Sequence, residues 1–315
     1  MASNALPGGY TRRPASRDDI EALAALWRRS DESLGVQPEP ASSFLGWILE
    51  VPFVQHDRDT VVIKHDANTA GLGVAMRDAA SIGSGMHWFG VVDPAHRGRS
   101  LGSWLVSWAD AVVELRASER PFDVRTMCSA VDDDAHRLFQ AFGYEQVRIN
   151  WDMAIELRGG VPAVGDLPDG VLLRTFETGR DERTFYEVEE SAFEGHFGFA
   201  PSPYESFDAE WYQSSDWDPS RVLLAEVDGV VVGELAWVDA APDGYIANLG
   251  VLKEHRRRGI AAALLRAAFV HIAAAKYERA TLSVDTGNTS GAVDLYRALG
   301  MEPIRESHVF QRTGG

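Results

Sequence analysis

The sequence predicts a mixed α/β architecture in which one domain plan occurs twice, and three observations carry that prediction. The length of 315 residues suits two domains of ~100–200 residues each. Two blocks recur in the same order: VDPAHRGRSLGSWL (92–105) with VLKEHRRRGIAAAL (251–264), and DDDAHRLFQAFGYE (132–145) with NTSGAVDLYRALGME (288–302). The match sets Arg97 opposite Arg256 and Phe139 opposite Tyr296. A period of half the chain means a duplicated domain, not a solenoid of short units. Finally, each half reads as hairpin strands followed by strand–helix–strand–helix, the order of a mixed sheet flanked by helices.

The elements are clearest in the second half. VLLRTF (171–176) reads as a first strand, and Asp181–Glu194 as a helix whose opening acids suit its positive end. RVLLAEV (221–227) and VVVGELAWV (230–238) are strands joined by Asp228-Gly229, a strong hairpin signal. YIANLGVL (245–252) is a fourth strand. Ile260, Leu264, Leu265, Ala268, Phe269 and Ile272 then recur at helical spacing. ATLSVDT (280–286) is a fifth strand, and Ala292, Leu295, Tyr296 and Leu299 mark a short helix closed by Gly300. In the first half, Leu101, Trp104, Leu105, Trp108, Val112 and Val113 repeat the long helix, its tryptophans at core spacing. Between the halves, LRGGVPAVGDLPDG (157–170) has the composition of a linker. The domains are expected at 9–158 and 170–313.

Composition narrows the function. With 45% hydrophobic and 24% charged residues, the chain is globular, not disordered. A formal net charge of −17 argues against a general nucleic-acid binder, which needs a dominant basic face. The single Cys128 excludes an internal disulfide and a multi-cysteine zinc site. The opening MASNALPGGYTRR lacks the apolar core of a secretory signal. The most apolar stretch, Gly259–Ala275, is broken by Arg266 and His271 and is shorter than the ~20 residues of a membrane span. A cytoplasmic protein without membrane attachment is expected. The histidines show no paired-ligand spacing, so no metal is expected, and no GxSxG elbow, P-loop or GxGxxG occurs.

The loop HRRRGIA (255–261) stands between a strand and a long helix. A helix N-terminus offers unpaired N–H groups and partial positive charge, a ready phosphate site. Gly259 permits close backbone approach, and Arg256, Arg257 and Arg258 add charge in an otherwise acidic protein. An ordinary turn with solvated arginines is the other reading of the same residues.

Here the residues carry a family resemblance. Arg256-x-x-Gly259-x-Ala261 after Leu249-Gly250-Val251 resembles the acyl-CoA pyrophosphate loop of the GNAT N-acetyltransferase superfamily. The segment from Asn288 through Ala292, Leu295, Tyr296 and Gly300 to Met301 resembles that superfamily's following motif. The doubled arrangement is similar to that of its tandem members. The resemblance implies acetyl-CoA, or another acyl-CoA, as co-substrate, held by Arg256 through Ile260, Ala261 and Ala262. It also implies a β-bulge in the fourth strand that splays it from the fifth and leaves a gap for the pantetheine arm. Backbone N–H groups near Leu249, Gly250 and Val251 would polarise the thioester carbonyl. Asn288 would hold the pantetheine or cap the helix, and Tyr296 would protonate the departing thiolate. Read without the resemblance, Tyr296 is a half-buried aromatic in an amphipathic helix.

The general base is left open. Tandem relatives can carry a glutamate on the fourth strand; Tyr245 stands there in this chain, and Asn248 cannot accept a proton. Glu234, in GELAWV, and His196, in FEGHFG, are the candidates. A surface carboxylate and a loop histidine are the alternative readings. The first half departs from the pattern: Val92, Arg97, Gly98, Arg99 and Gly102 keep the basic turn, but Ser100 stands where glycine is wanted. Asp132 stands near the asparagine position, and Phe139, which has no proton to give, replaces the tyrosine. That half is expected to scaffold or to hold acyl-CoA idly while the second half reacts.

The acceptor side is acidic. Residues 159–315 carry 14 Lys and Arg against 25 Asp and Glu, and within 181–218 eleven carboxylates face the single basic Arg183. Such a wall would attract a cationic small-molecule amine, and Phe193, Phe197, Phe199, Tyr204, Trp211 and Tyr212 interleave with the acids for stacking. Two solvated helix faces are the alternative. The expected function is acyl-CoA-dependent N-acyl transfer to a small-molecule amine through a ternary complex, by a monomer or homodimer. The rival readings are a non-catalytic acyl-CoA sensor and a transferase that uses another acyl donor, such as aminoacyl-tRNA.

Overall fold

The computed structural model describes residues 5–38, 41–51, 54–77, 85–116, 122–161, 165–199, 201–214, 217–288 and 290–314. In chain order the first elements are β1 (Tyr10–Arg13), α1 (Ile20–Leu34), α2 (Ala41–Ile48), α3 (His56–Asp59), β2 (Thr60–His65), β3 (Asn68–Arg77) and β4 (Met86–Val92). They are followed by α4 (Leu101–Arg116), β5 (Phe122–Ser129), α5 (Asp133–Ala141) and the long strand β6 (Glu145–Glu156). The second series is β7 (Val171–Thr175), α6 (Glu182–Phe193), α7 (Tyr204–Glu210), β8 (Val222–Val227), β9 (Val230–Ala240) and β10 (Asp243–Val251). It closes with α8 (Ile260–Ala274), β11 (Arg279–Asp285), α9 (Ala292–Ala298) and β12 (Glu302–Gly314). The mixed α/β plan read from the sequence is what the chain adopts, and it is repeated. The central part of the 157–170 segment lies outside the described residues.

The described residues form two compact units, one within Met1–Ala79, Ser84–Asn150 and Arg305–Gly315, the other within Trp151–Ile304. In the first, the strands run β1-β2-β3-β4-β5-β12. All the registered neighbours are antiparallel except β4 and β5. Leu23, Leu26, Leu45 and Ile48 of α1 and α2 cover one face over Val62, Leu72 and Val74. Trp104, Leu105, Trp108 and Val112 of α4 cover the other. The sixth strand is the C-terminal segment, in which Ser307–Gly314 pair with Ser129–Phe122 of β5. Phe310 is 1% exposed and meets the Phe139 ring at 5.3 Å, while Arg312 donates to Asp110 at 2.7 Å. A cut of the chain at 9–158 and 170–313 would separate this strand from the sheet it completes.

The second unit repeats the order as β7-β8-β9-β10-β11, and its sixth strand comes from Trp151–Glu156 of β6. Asp228 and Gly229 both take positive φ, 51° and 78°, as the tight hairpin between β8 and β9 requires. The apolar row read at helical spacing on α8 is buried, with Leu264, Leu265, Ala268, Phe269 and Ile272 all at 0% exposure. Phe176, Phe185, Val188 and Phe207 pack on the opposite face.

If the exchanged strand is part of the first unit's core, Phe310→Ala lowers stability by ~3–5 kcal/mol, the usual cost of removing a buried phenylalanine. Urea unfolding followed by the fluorescence of buried Trp88 and Trp104 measures it; an unchanged midpoint would show that the strand contributes nothing.

Candidate active site

The loop after β10 turns into α8 through two residues in left-handed conformation, Arg257 at φ 63° and Gly259 at φ 85°. Gly259 is the N-cap and carries no side chain to satisfy the helix's first N–H groups. Those of Ile260, Ala261 and Ala262 are therefore the open donors of an uncapped N-terminus. Arg257 and Arg258 are exposed beside it. Arg256 points elsewhere. Its Nε donates to the Val251 carbonyl at 2.9 Å and its Nη2 to the Ala192 carbonyl at 2.7 Å. It ties the end of β10 to the last turn of α6 and so holds the loop in place.

β10 contains the bulge expected from the resemblance. Ile246 pairs with Trp237 and Asn248 with Ala236, which leaves Ala247 as an extra residue. Residues two apart on a strand share a face; across the bulge they do not. Ile246 packs with the α8 cluster, whereas Asn248 donates to Glu189 of α6 at 2.6 Å. Beyond the bulge, Gly250 lies opposite Glu234. β10 and β11 pair only from Asp243 to Tyr245 against Arg279 to Thr281, so their C-terminal halves splay apart.

The bulge completes a buried acid cluster between α6 and the sheet. Glu234 is 0% exposed, and neither carboxylate oxygen makes a well-formed hydrogen bond within the protein, the nearest backbone donor being the Gly250 N–H. A Cβ at Gly250 would lie 2.6 Å from Glu234 Oε1, so only glycine leaves room for this carboxyl. Burial pushes the Glu234 pKa up to about 8, and the neighbouring Gly250 N–H offsets only part of that. Glu189, 4% exposed, leaves Oε2 without a partner. Burial first, and then the charges of Glu234 and Glu210, raise its pKa well above the carboxylate range. Glu210 of α7 is 7% exposed. At neutral pH this cluster holds at least one proton, and carboxyls in that state can exchange protons with a substrate.

The other candidates sit around the gap. Tyr296 is 9% exposed in a cluster that also holds Val251, Ile260 and Val284. Burial pushes its pKa up to about 12, so the phenol stays protonated at neutral pH and is a donor, not a base. Asn288 Oδ1 accepts from the Ser290 N–H at 2.8 Å, which shapes the turn before α9, while the helix itself is capped by Gly291. His196 lies just beyond α6; burial and then Arg256 lower its pKa, while Asp285 opposes them. It therefore belongs to the Arg256 side of the site. Tyr245 lies before the bulge, opposite Val238.

The first unit has the same frame without the same chemistry. The β3–β4 register is unbroken from Gly71–Val92 to Arg77–Met86, so β4 has no bulge. The pair equivalent to Glu234–Gly250 is Leu72–Val91, part of an apolar core. Ser100 takes the left-handed φ of 62° that Gly259 takes in the second unit, a conformation that costs a side-chain-bearing residue ~1 kcal/mol or more. Arg97 donates to Ser30 Oγ and Arg99 to the Tyr10 hydroxyl. Asp132 has become the N-cap of α5, accepting from Ala135 N–H. Phe139 is a core residue at 6% exposure among Trp88, Tyr144 and Phe310.

The acidic stretch 181–218 does not form one continuous wall. Asp181 is buried against Arg174, Asp218 caps the turn before β8, and Glu190 accepts from Ser202 N–H. Asp216 lies outside the described residues. Trp211 and Tyr212 pack with Phe176, Phe185 and Phe207 as core, because helical spacing turns them inward. Glu189 and Glu210 are the members the sequence did not single out; among eleven acids, only burial distinguishes them.

Comparison with known proteins agrees with this geometry. The model of the acetyltransferase (GNAT) family matches residues 183–301. A mycothiol acetyltransferase of Thermobispora bispora is 34% identical over 219 residues, 67% of this chain and 70% of that protein. The crystal structure of a GCN5-related N-acetyltransferase from Sphaerobacter thermophilus superposes with a TM-score of 0.82 at 30% identity, covering 98% of this chain and 97% of the other. A tandem GNAT protein from the clavulanic acid biosynthesis pathway shares the fold at a TM-score of 0.70 and 17% identity, covering 97% and 99%. Among the described residues, no helix is long and apolar enough to cross a membrane.

The raised Glu234 pKa has a consequence for stability. Because the folded protein binds this proton more tightly than the unfolded chain, its contribution is full below about pH 4.5 and is lost as pH rises through about 8. Melting temperature should therefore fall between about pH 5 and about pH 9, and Glu234→Gln should flatten that fall. Parallel pH profiles for the wild type and the variant, recorded by circular dichroism melts, would contradict the assignment.

Proposed function

We propose, for a chain that belongs to the GNAT family of acyl-CoA-dependent N-acetyltransferases and to its tandem type, that acetyl transfer takes place in the second unit. The proposed acceptor is a small-molecule amine, and both substrates are bound together when the group moves. The observation that carries this reading is the coincidence, in that unit alone, of the bulge at Ala247, a glycine-capped helix N-terminus and Tyr296.

The donor supplies a thioester. Its pyrophosphate fits the N–H groups of Ile260, Ala261 and Ala262 with Arg257 and Arg258 beside them, because these donors have no capping side chain. Its pantetheine arm fits the gap where β10 leaves β11. Leu249, Gly250 and Val251 line that gap, and their backbone would face the carbonyl on which charge develops. Arg256 positions this backbone through the Val251 carbonyl. Tyr296 gives its proton to the departing thiolate, and Glu234 accepts one from the amine. Since Tyr245 stands where tandem relatives can carry a glutamate, the carboxylate is supplied from β9 instead. The first unit, with Leu72, Val91 and Phe139 in the corresponding places, is read as scaffold. The relatives named for mycothiol make its unacetylated precursor the first acceptor to assay.

Two variants test the reading. Gly259→Glu places a carboxylate at the helix N-terminus and should abolish acetyl-CoA binding by calorimetry in a protein that still folds. Tyr296→Phe should lower turnover by ~10²–10⁴, the usual contribution of a general acid, with donor affinity unchanged. Donor affinity unaltered by the first change, or turnover within twofold after the second, would overturn the corresponding assignment.

A further inference from the structure

The carboxyls of Glu189 and Glu234 are unusual as structure. Glu234 extends from β9 and Glu189 from α6; at 0% and 4% exposure they leave three carboxylate oxygens without a partner in the protein. Burying such groups costs free energy that the fold does not recover internally. The fold has no need of an acid at Glu234, because the first unit fills that place with Leu72 and the place of Gly250 with Val91. An unpaired acid that is buried at one copy of a repeated position, and replaced by leucine at the other, as Glu234 is, points to a ligand.

We propose that Glu189 and Glu234 form the seat for the acceptor's ammonium group, and that Glu189, held by the Asn248 amide beside the bulge, selects a primary amine. This rests on the reading of the second unit as the reacting one. The groups that face the seat are Glu189 from α6, Glu210 from α7, and Glu234 and Asn248 from the sheet. All are acceptors or acids except the Asn248 amide, which is spent on Glu189 Oε1. The open side is at the bulge, since Asn248 is the half-buried member of the group. A primary ammonium offers three donors to the three unpartnered oxygens. A metal ion is the poorer match, because among the described residues no His, Cys, Asp or Glu group is arranged to hold one. Once the ammonium is seated, one N–H bond breaks, its proton passes to a Glu234 oxygen, and the electron pair remains on nitrogen for attack on the thioester carbon. The role of Glu189 is positional: Asn248 holds its Oε1, and its unpartnered Oε2 accepts from the ammonium and keeps it beside Glu234.

Calorimetry with the full-length protein loaded with acetyl-CoA tests the seat through matched probes, tyramine against tyrosol and glucosamine against glucose. Each pair differs only in ammonium versus hydroxyl. In at least one pair the wild type should bind the amine at least tenfold more tightly, and the preference should fall below threefold in both Glu189→Gln and Glu234→Gln. Glu234→Leu, which copies the residue of the first unit, should lose the preference while melting at or above the wild-type temperature. A merely structural role for these acids predicts the reverse. No preference in either wild-type pair, or a preference that survives in the variants, would overturn the proposal. Failure of the wild type to bind acetyl-CoA would instead overturn the reading on which it rests.

Discussion

One extra residue in one strand governs the second unit. Without the bulge at Ala247, regular alternation along this same sequence would carry Asn248 and Gly250 to the face occupied by α8. With it, they turn toward α6 and meet Glu189 and Glu234. The parallel pairing with β11 ends after Tyr245, just before the bulge, and leaves strand edges beyond it unbonded. Both units open the gap, but only the bulged one sets an acid cluster beside it. The loop that follows is tied to the end of this strand, where Arg256 donates to the Val251 carbonyl.

The two units show what a fold needs and what it merely permits. Each has a mixed sheet with a long helix after its fourth strand, and in each the fourth and fifth strands part early. In the first unit the shared positions have settled into packing: Leu72 against Val91, Phe139 among aromatic rings, Asp132 as a helix cap. The second unit keeps features that packing alone would remove, namely unpartnered buried carboxyls and an uncapped helix N-terminus. Natural domains break local rules of this kind where binding or chemistry requires it.

Much of this was legible in the sequence because it is local. The Asp228-Gly229 hairpin, the apolar row of α8, and the change from Gly259 to Ser100 and from Tyr296 to Phe139 are statements about neighbouring residues. The exchanged strands were not legible. The segments Glu145–Glu156 and Glu302–Gly314 are both plausible strands, and their partners are set by pairing over long separations that no local pattern encodes. The acid cluster was half legible: Glu234 stood out alone in an apolar strand, whereas Glu189 and Glu210 were hidden among exposed acids of similar spacing. The position of the bulge follows from register, which a single strand read alone does not reveal.

Hydrogen–deuterium exchange with and without acetyl-CoA tests most directly the claim that the bulged second unit is the one that reacts. The account predicts new protection at the amides of 247–251 and 260–263, with residues 89–92 and 100–104 unchanged. Protection confined to the first unit's loop, with 247–263 unaltered, would contradict it.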